Sequence, residues 1–345
     1  MDPSERGNAT FSPNSCLVTF PGDVPDIKAA PAIVSCLVSI ISSIFATTGN
    51  FLVMWAIKVT PSLHTPSSVF LFILALSDFI VGIFVQPMCV LHLIGATTRN
   101  ISLYCVTSAM LYPPGVTLVV VSLMTITAIT VDRYLALVLH LRYAAIITVS
   151  RAIKFNLLFL GICIPCSFYF WFSTIGWYRK ASIYFGFILG ISGVAAMVFS
   201  YYQIFAILRR HKKQILNQKK LATRLHRFSE LDISKYRKSV LAVIFVLGAI
   251  FFCYLPFGVS FFMAMLFQIE VTKSTVFVTG IMVMLNSSIN PLFYCWRITE
   301  IRRFAISKLR LISKVSEVPC QVGGVTRVEP VRWINKGQWR TNKGQ

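Results

Sequence analysis

The chain has 345 residues, of which 56% are hydrophobic and only 13% are charged, and its net charge is +21. So few charged residues exclude an ordinary soluble domain and indicate that much of the apolar surface faces lipid. The positive net charge would suggest a nucleic-acid partner, but the distribution of the basic residues along the chain argues against one.

Seven stretches of mostly apolar residues follow one another, each about 20 residues or longer and able to cross a bilayer as a helix. They lie at 31–57, 67–94, 104–131, 155–175, 182–208, 239–267 and 274–296. The sequence therefore predicts an all-α membrane protein: a seven-transmembrane helix bundle with a short amphipathic cytoplasmic helix after the seventh span. We expect the extracellular N-terminus at 1–29, the membrane domain at 30–297, and the amphipathic helix and cytoplasmic tail at 298–345.

Basic residues are concentrated on one side of the predicted bundle. Only six of the 33 lie in the N-terminus or in the second, fourth and sixth connections. The positive-inside rule then predicts an extracellular N-terminus and a cytoplasmic tail in a multi-pass protein of the plasma membrane. Asn8 and Asn100 begin glycosylation sequons on the predicted outer side. The basic connection at 209–238 favours contact with anionic membrane lipid and leaves a cytosolic protein partner as an additional role.

Few polar side chains lie deep within the spans, and those that do are candidates for function because polar groups are costly there. Asp78 is the acidic residue deepest within a span. Asn50, Ser122, Asn286 and Asn290 are candidate partners at a similar depth. Neutral oxygen atoms around one carboxylate would suit a small hard cation, most simply Na⁺. The alternatives are a protonated Asp78 and a water-filled hydrogen-bond network without an ion.

A second polar group closes the third span, where Asp132, Arg133 and Tyr134 follow one another. The adjacent acid is expected to hold the Arg133 guanidinium in one orientation until another partner takes it. The alternative is an ordinary interfacial arginine that extends to water. In the sixth span, Pro256 lies close to the aromatic Tyr254 and predicts a hinge about which half of the helix can swing.

The nine cysteines do not have the spacing of zinc ligands, so they predict no metal site. Most lie singly within the spans, where a cysteine is usually a small apolar filler. Cys16 and Cys105 are the two that are expected to face outside. Cys320, in the tail, is a candidate for palmitoylation.

Five short motifs, in order and on the expected helices, resemble those of rhodopsin-like (class A) G-protein-coupled receptors over about 30–305. They are Gly49-Asn50, Leu74-Ala75-Leu76-Ser77-Asp78, Asp132-Arg133-Tyr134, Cys253-Tyr254-Leu255-Pro256 and Asn290-Pro291-Leu292-Phe293-Tyr294. The resemblance implies that the family's sodium pocket is matched by Asp78, Ser122, Asn286 and Asn290. It also implies that Arg133, Tyr201 and Tyr294 rearrange when the cytoplasmic side opens to a G protein. Within the class, the pattern is similar to the melanocortin, adenosine, cannabinoid and lysophospholipid receptors.

Several positions depart from the patterns of this family. Gly115 stands where amine receptors carry an aspartate, and Phe261 replaces the asparagine of an adenosine site, which argues against both ligands. Tyr236 stands where an acidic latch to Arg133 is often found, so raised basal activity is expected. The usual cysteine of the second outer loop is missing, and a Cys16–Cys105 disulfide is the candidate substitute.

The sequence thus predicts a receptor that couples an extracellular ligand to a heterotrimeric G protein. Six candidate pocket residues are expected to face the outer half of the bundle: Gln86, His92, Tyr112, Gly115, Phe257 and Phe261. Their uncharged, largely aromatic character favours a small or lipid-like ligand. An enzyme is disfavoured because no nucleophile elbow, phosphate loop or metal motif stands out. The alternatives are a channel or transporter, disfavoured by the missing repeat symmetry, and a receptor-like protein that no longer signals.

Overall fold

The computed structural model describes residues 29–139, 142–172, 176–221, 248–263 and 270–316. All the regular elements in these ranges are helical. The long helices are α1 (Ala29–Val59), α2 (Pro66–Thr97), α3 (Ile101–Leu139), α4 (Val149–Phe172), α5 (Gly176–Leu221), α6 (Gly248–Met263), α7 (Glu270–Arg297) and α8 (Thr299–Ser316). Two short helical turns, Pro61–Leu63 and Tyr143–Ile146, lie in the connections after α1 and α3.

The first seven of these helices form the predicted membrane bundle. In the described part of the chain, α1 to α5 and α7 are long and apolar enough to cross a membrane, and α6 is a shorter apolar helix. Large apolar side chains point away from the bundle: Leu158, Ile191 and Leu292 are 67%, 68% and 66% exposed. Because such exposure in water would be unfavourable, these faces are the ones that contact lipid.

We call the half of the bundle that carries Arg133 the inner half, and the opposite half the outer half. Each half contains one apolar cluster that holds the helices together. The inner cluster includes Val53, Leu74, Met197 and Phe293, from α1, α2, α5 and α7. The outer cluster consists of five buried residues of α2, α3 and α7: Val81, Val85, Cys89, Leu111 and Ile281. Among the described residues, those up to Ala305 form one compact unit, and the end of α8 from Ile306 belongs to a second.

The helix ends differ from the prediction at the outer side. The fourth and fifth predicted spans leave a connection at 176–181. In the structure these residues are already helical, and α5 begins at Gly176. A helix satisfies its own backbone hydrogen bonds in water as well as in lipid, so it need not stop where the apolar stretch stops. At the inner side α5 continues beyond the predicted span to Leu221, and the predicted amphipathic helix is α8.

The middle of α2 is not a regular α-helix. Residues Val81–Val85 form a π-helical segment, which adds a residue to the turn and rotates the outer part of α2 by about 100°. Gly82 lies here against α1, where a Cβ atom would be 2.6 Å from Thr47 Oγ1, and Ser43 Oγ donates to the Gly82 carbonyl at 2.7 Å. The π segment therefore decides which face of outer α2 points into the bundle.

Candidate functional site

A cavity of about 190 Å³ lies in the outer half, between α2, α3, α6 and α7. Five of the six predicted pocket residues line it: His92, Tyr112, Gly115, Phe257 and Phe261. Its floor, deeper in the bundle, includes Ser122, Tyr254 and Ser287. Among the described residues, the lining contains no Asp, Glu, Lys or Arg. The cavity therefore has apolar and aromatic walls, with polar side chains at its outer end and at its floor.

Gln86, the sixth predicted pocket residue, does not line the cavity. It is fully buried, and its Nε2 donates to Ser42 Oγ of α1 at 2.7 Å and to the Met284 carbonyl of α7 at 3.4 Å. Gln86 follows directly after the π segment, and the local rotation of α2 directs its side chain between α1 and α7. Its assignment to the ligand pocket is therefore corrected: it joins three helices.

His92 is the central polar group at the outer end of the cavity. Its ring stacks on Tyr104, at a centroid distance of 4.4 Å, and on Phe277, at 5.7 Å. Its Nδ1 lies 3.1 Å from Thr107 Oγ1, and its Nε2 lies 3.3 Å from the Tyr112 hydroxyl. Both faces and both nitrogen atoms are therefore held by neighbours, which fixes the orientation of the imidazole.

Asp78 is completely buried below the cavity floor, where it joins α2 to α7. Its Oδ1 accepts a hydrogen bond from Ser287 Oγ at 2.8 Å, and its Oδ2 accepts one from Asn290 Nδ2 at 2.7 Å. Asn50 of α1 donates to the carbonyls of Ala46 and Ser287 at 2.8 and 2.9 Å. The structure thus brings three of the five predicted cation-pocket residues into one network. Asn290 contributes its amide nitrogen to this network, not the oxygen atom that the cation prediction assumed.

Three buried polar atoms around this network have no hydrogen-bond partner among the described residues: Asn50 Oδ1, Ser122 Oγ and Asn286 Nδ2. An unsatisfied buried polar group costs about 1–3 kcal/mol, so such atoms mark room for a water molecule or an ion. The Tyr254 side chain lies beside Ser122 and Asn286. Two of the three atoms are oxygens, which with the Asp78 carboxylate form a donor set that fits a hard cation.

Ser287 was missed in the sequence, although it donates directly to Asp78. Its spacing was informative, because Ser287 precedes Asn290 by three residues and so lies on the same helical face. Asn286, the neighbour that was predicted instead, has an unpartnered amide nitrogen beside Tyr254. No group of three or more His, Cys, Asp or Glu side chains in the described ranges could hold a metal ion.

At the inner end, Asp132 is held by residues other than Arg133. Its Oδ2 accepts a hydrogen bond from Ser67 Oγ of α2 at 2.5 Å, and its Oδ1 accepts one from the Tyr143 hydroxyl at 2.6 Å. Burial and the bond to Asp132 raise the pKa of Tyr143, so its phenol stays protonated and remains a donor. The predicted clamp of Arg133 by Asp132 is therefore corrected: the carboxylate is engaged on the side of α2 and the inner turn.

The other predicted switch residues surround the inner end of α3. Arg133 is exposed, and Tyr134 packs edge-on against Phe199 of α5 at a centroid distance of 6.4 Å. Tyr294 is buried in α7, close enough to both Tyr201 and Asp78 for electrostatic interaction. Tyr294 therefore lies between the Asp78 network and the inner end of the bundle.

Arg297 adds a second positive charge at this end. It is the last residue of α7 and lies near Arg133 and Tyr201, as its electrostatic interactions show. No sequence motif pointed to this proximity, because the two arginines belong to different helices. With Asp132 bonded elsewhere, the two guanidinium groups give the inner end a cationic surface.

The predicted hinge residues, Tyr254 and Pro256, both lie within α6, which stays helical across them. Tyr254 packs against the inner apolar cluster, and Ser260 Oγ donates to the Pro256 carbonyl at 2.8 Å. Proline lacks the N–H that would continue the backbone ladder, so the helix is weakened at this turn. Tyr236 lies outside the described residues, so the missing latch to Arg133 remains a prediction.

The predicted outer-surface features are partly within the described ranges. Asn100 is exposed before α3, and its side chain accepts a hydrogen bond from the Leu103 amide at 3.0 Å. Cys105 forms a disulfide, and the six other cysteines of the described ranges are free thiols. Asn8, Cys16 and Cys320 lie outside the described residues, so the Cys16–Cys105 pairing and the modifications remain predictions.

Comparison with known proteins agrees with this arrangement of helices and polar groups. The family described as 7 transmembrane receptor (rhodopsin family) matches residues 49–294. Adenosine receptor A3 of Ovis aries is 29% identical over 290 residues, covering 77% of this chain and 86% of that receptor. Adenosine receptor A3 of Bos taurus (289 residues; 77% and 86% covered) and of Canis lupus familiaris (290 residues; 77% and 87%) are each 27% identical. The chain therefore belongs to the rhodopsin family of G-protein-coupled receptors, which are multi-pass receptors of the plasma membrane and not enzymes.

Proposed function

We propose that this receptor binds an uncharged, small or lipid-like extracellular ligand in the outer cavity and activates a heterotrimeric G protein at its inner end. The observation that carries the proposal is the absence of charged side chains from the cavity lining, as far as the described residues form it. An ionic ligand bound there would lose its hydration without gaining a counter-ion, which is costly in a low-dielectric site. A largely apolar ligand would instead gain by burying its surface against the aromatic walls.

Adenosine fits this cavity less well, although the similar receptors are named for it. A nucleoside carries many donors and acceptors, and each one that is buried without a partner weakens binding. In the described part of the chain the lining has no Asn or Gln side chain, and Phe261 occupies the position where the family resemblance expects an asparagine. The remaining walls are largely apolar, as at Val116, Leu118 and Ile281.

The cavity floor provides a physical route from the ligand to the inner end. Ser287 lines the cavity and also donates to Asp78, so a ligand that reaches the floor contacts a direct partner of the carboxylate. Asn290 and Tyr294 continue along α7 toward the inner half. An agonist that favours a shifted α6 and α7 would favour the conformer that binds the G protein. By linkage, the bound G protein would then tighten agonist binding.

Sodium is the cofactor that we propose for the Asp78 network. Asp78, Asn50 and Ser122 would hold the ion, since the two neutral residues keep a buried oxygen atom without a partner among the described residues. Bound Na⁺ would supply one positive charge to offset the buried carboxylate. Ser287 and Asn290 would keep that carboxylate joined to α7, which favours the conformer seen in the structure.

The membrane orientation is also a proposal, with the N-terminus outside and the tail in the cytosol. It is supported by exposed basic residues on the inner extension of α5, among them Arg209, Arg210 and Lys213. Such residues are attracted to anionic lipid at the cytoplasmic leaflet and to acidic surfaces of a G protein. Arg133 and Arg297 would contribute to the same docking surface.

The decisive experiment measures GDP–GTP exchange on a panel of heterotrimeric G proteins with the receptor reconstituted in lipid nanodiscs. We expect the wild type to accelerate exchange on at least one heterotrimer, and Arg133→Ala to lose that acceleration at unchanged surface expression. Lys154→Ala is the control, because it removes another exposed inner-side basic residue and should leave exchange unchanged. Normal exchange with Arg133→Ala would contradict the role of Arg133. No exchange on any heterotrimer would instead favour a receptor-like protein that does not signal.

A further inference from the structure

The hydrogen bonds around His92 determine where its proton lies. His92 is 1% exposed, and its Nδ1 faces two hydroxyl groups, Thr107 Oγ1 at 3.1 Å and Ser108 Oγ at 3.5 Å. The Thr107 hydroxyl donates to the carbonyls of Leu103 and Tyr104, at 2.7 and 3.1 Å, and the Ser108 hydroxyl donates to the Tyr104 carbonyl at 2.7 Å. A hydroxyl has one proton to donate. Both hydroxyls therefore meet the imidazole as acceptors, and Nδ1 must carry the proton.

The other ring nitrogen is then an acceptor. The imidazole is neutral, because it is buried between the rings of Tyr104 and Phe277 and no carboxylate occurs among the described residues of the cavity lining. In a neutral ring protonated at Nδ1, Nε2 carries a lone pair. The contact of 3.3 Å between Nε2 and the Tyr112 hydroxyl is therefore a hydrogen bond that Tyr112 donates.

This direction of the bond decides what the outer end offers to a ligand. Tyr112 and His92 both line the cavity. Since the phenol proton is directed to His92, the Tyr112 oxygen can only accept a hydrogen bond from a ligand group that reaches it. The polar group at the outer end is thus a hydrogen-bond acceptor. Its role is fixed by two successive donations: Tyr112 donates to His92 Nε2, and His92 Nδ1 donates to the hydroxyls of Thr107 and Ser108.

We propose that this outer end selects uncharged, largely apolar ligands that carry a hydrogen-bond donor, namely a hydroxyl or an amide N–H. Esters and ketones would place an acceptor against an acceptor, and carboxylates or phosphates would add a negative charge with no cation in the described lining. The inference rests on the proposed function of the cavity as the ligand site, and it specifies the chemistry of that ligand. The aromatic sandwich around His92 keeps the selecting groups in place before the ligand binds.

The test uses four lipid probes that share one alkyl chain and differ in the head group: a primary amide, an alcohol, a methyl ester and a carboxylate. Binding to the purified full-length receptor is measured by equilibrium competition and by the shift in unfolding temperature. We expect the amide and the alcohol to bind about tenfold more tightly than the ester, the effect of one buried hydrogen bond. The carboxylate should bind most weakly. Binding of the ester or the carboxylate as tight as that of the amide would overturn the proposal, and so would binding of none of the four.

Two substitutions have different expected effects on this order. His92→Phe keeps a ring between Tyr104 and Phe277 but removes both nitrogen atoms, so the Tyr112 hydroxyl can donate a hydrogen bond as well as accept one. We expect this variant to lose the preference and bind the ester as tightly as the alcohol. Tyr112→Phe leaves the Nε2 lone pair facing the cavity, so it should keep the preference for the donor probes. Ser192→Ala is the control, because this exposed hydroxyl bonds within α5, to the Leu189 carbonyl.

The same preparations separate this inference from the proposed function. If the donor probes bind in the expected order but never alter GDP–GTP exchange, the donor preference stands and the signalling role fails. If exchange is driven by the carboxylate probe, or if His92→Phe retains the wild-type order, the donor preference fails and the signalling role stands. Unfolding curves of each variant verify that the substituted receptor is folded before binding is compared.

Discussion

Among the described residues, Asp78 and Asp132 are the two buried carboxylates, and each accepts hydrogen bonds from a different part of the fold. Asp78 is 0% exposed and Asp132 is 4% exposed, and each accepts two side-chain hydrogen bonds. The unpartnered buried atoms Asn50 Oδ1 and Ser122 Oγ belong to the Asp78 region. None of the unpartnered atoms in the described ranges belongs to a residue that bonds Asp132. The Asp78 site therefore has spare capacity for an ion or water, and the Asp132 site does not.

The position of the donors adds a second difference. Both donors to Asp78 are on α7, so a shift of that one helix would break both bonds together. The donors to Asp132 are on α2 and on the turn after α3, so a shift of α2 alone would break one bond and leave the other. We infer that Asp78 responds to the position of α7, whereas Asp132 fixes the inner turn against the bundle.

Asp78→Asn tests whether a cation binds beside Asp78, and it should have the largest effect on the unfolding temperature. We expect NaCl, compared with the same concentration of KCl, to raise the unfolding temperature of the wild type, since an ion that binds only the folded state stabilises it. Saturation a hundredfold above the dissociation constant corresponds to about 2.7 kcal/mol, or a few degrees. The amide of the variant lacks the negative charge that holds the cation, so the difference between the salts should vanish.

Asp132→Asn is the matched control for this measurement. It makes the same chemical change in the carboxylate that has no unpartnered atoms around it in the described structure, so the NaCl effect should persist. A NaCl effect that survives Asp78→Asn, or one that disappears with both variants, would contradict a cation site at Asp78. The comparison is made on receptor without added ligand, so that only the ion differs.

Gly49→Ala tests whether the Asp78 network depends on close contact between α1 and α7. A Cβ atom at Gly49 would lie 2.8 Å from Pro291 Cβ, next to Asn290. Forcing these helices apart should reduce the free energy of unfolding by about 1–3 kcal/mol and weaken the NaCl effect, because Asn290 moves away from Asp78. Thermal unfolding in both salts measures the two consequences together.

Gly161→Ala provides the control for the glycine substitution. A Cβ atom at Gly161 would meet nothing within 4 Å, so the change there is free of overlap. Alanine is the better helix former by about 1 kcal/mol, and this variant should be as stable as the wild type or slightly more stable. Equal losses of stability in the two variants would show that the Gly49 contact is not what holds α7.

The sequence predicts Asp78, Asn50 and Asn290 as a group because lipid makes polar side chains rare, so the few that occur in spans stand out. The seven spans follow from the same physics. Their positions along the spans predicted a similar depth in the membrane. The structure shows that Asn290 bonds Asp78 directly and that Asn50 bonds the Ser287 carbonyl in the same network. The inner Asp132–Arg133 contact was expected from adjacency in sequence, but neighbours on a helix point in different directions.

The remaining partners depend on the three-dimensional arrangement. Ser67 and Tyr143 reach Asp132 only because α2 and the inner turn converge on α3, which no local pattern encodes. Gln86 was assigned to the wrong face because the π segment before it rotates outer α2, and its five apolar or glycine residues give no sign of a π turn. Periodic patterns thus predict the bundle and the depth of a residue in the membrane, but not the helix face on which the residue lies after an irregular turn.

Tyr143→Phe tests the anchoring role of Asp132. The substitution removes one hydrogen bond to the carboxylate and should lower the free energy of unfolding by about 1 kcal/mol or less, since Tyr143 is only half-buried. A less firmly held inner turn should also change basal GDP–GTP exchange. Tyr202→Phe is the control, because it removes the same hydroxyl from an exposed side chain of α5. Identical behaviour of the two variants would argue against a specific role for the Tyr143–Asp132 bond.

Ser122→Ala should have the smallest effect on stability, although it removes a buried polar group from the centre of the bundle. The Ser122 hydroxyl makes no hydrogen bond of good geometry among the described residues and has the adjacent Tyr254 side chain as at most a weak partner, so we expect a change within about 0.5 kcal/mol in sodium-free buffer. Ser287→Ala removes the same atom from α7 but breaks the bond to Asp78, so it should cost about 1–3 kcal/mol. Thermal unfolding in KCl compares the two directly, and equal losses would show that partnered and unpartnered hydroxyls do not differ here. In NaCl the difference should narrow, because Ser122→Ala then loses an oxygen ligand of the proposed ion.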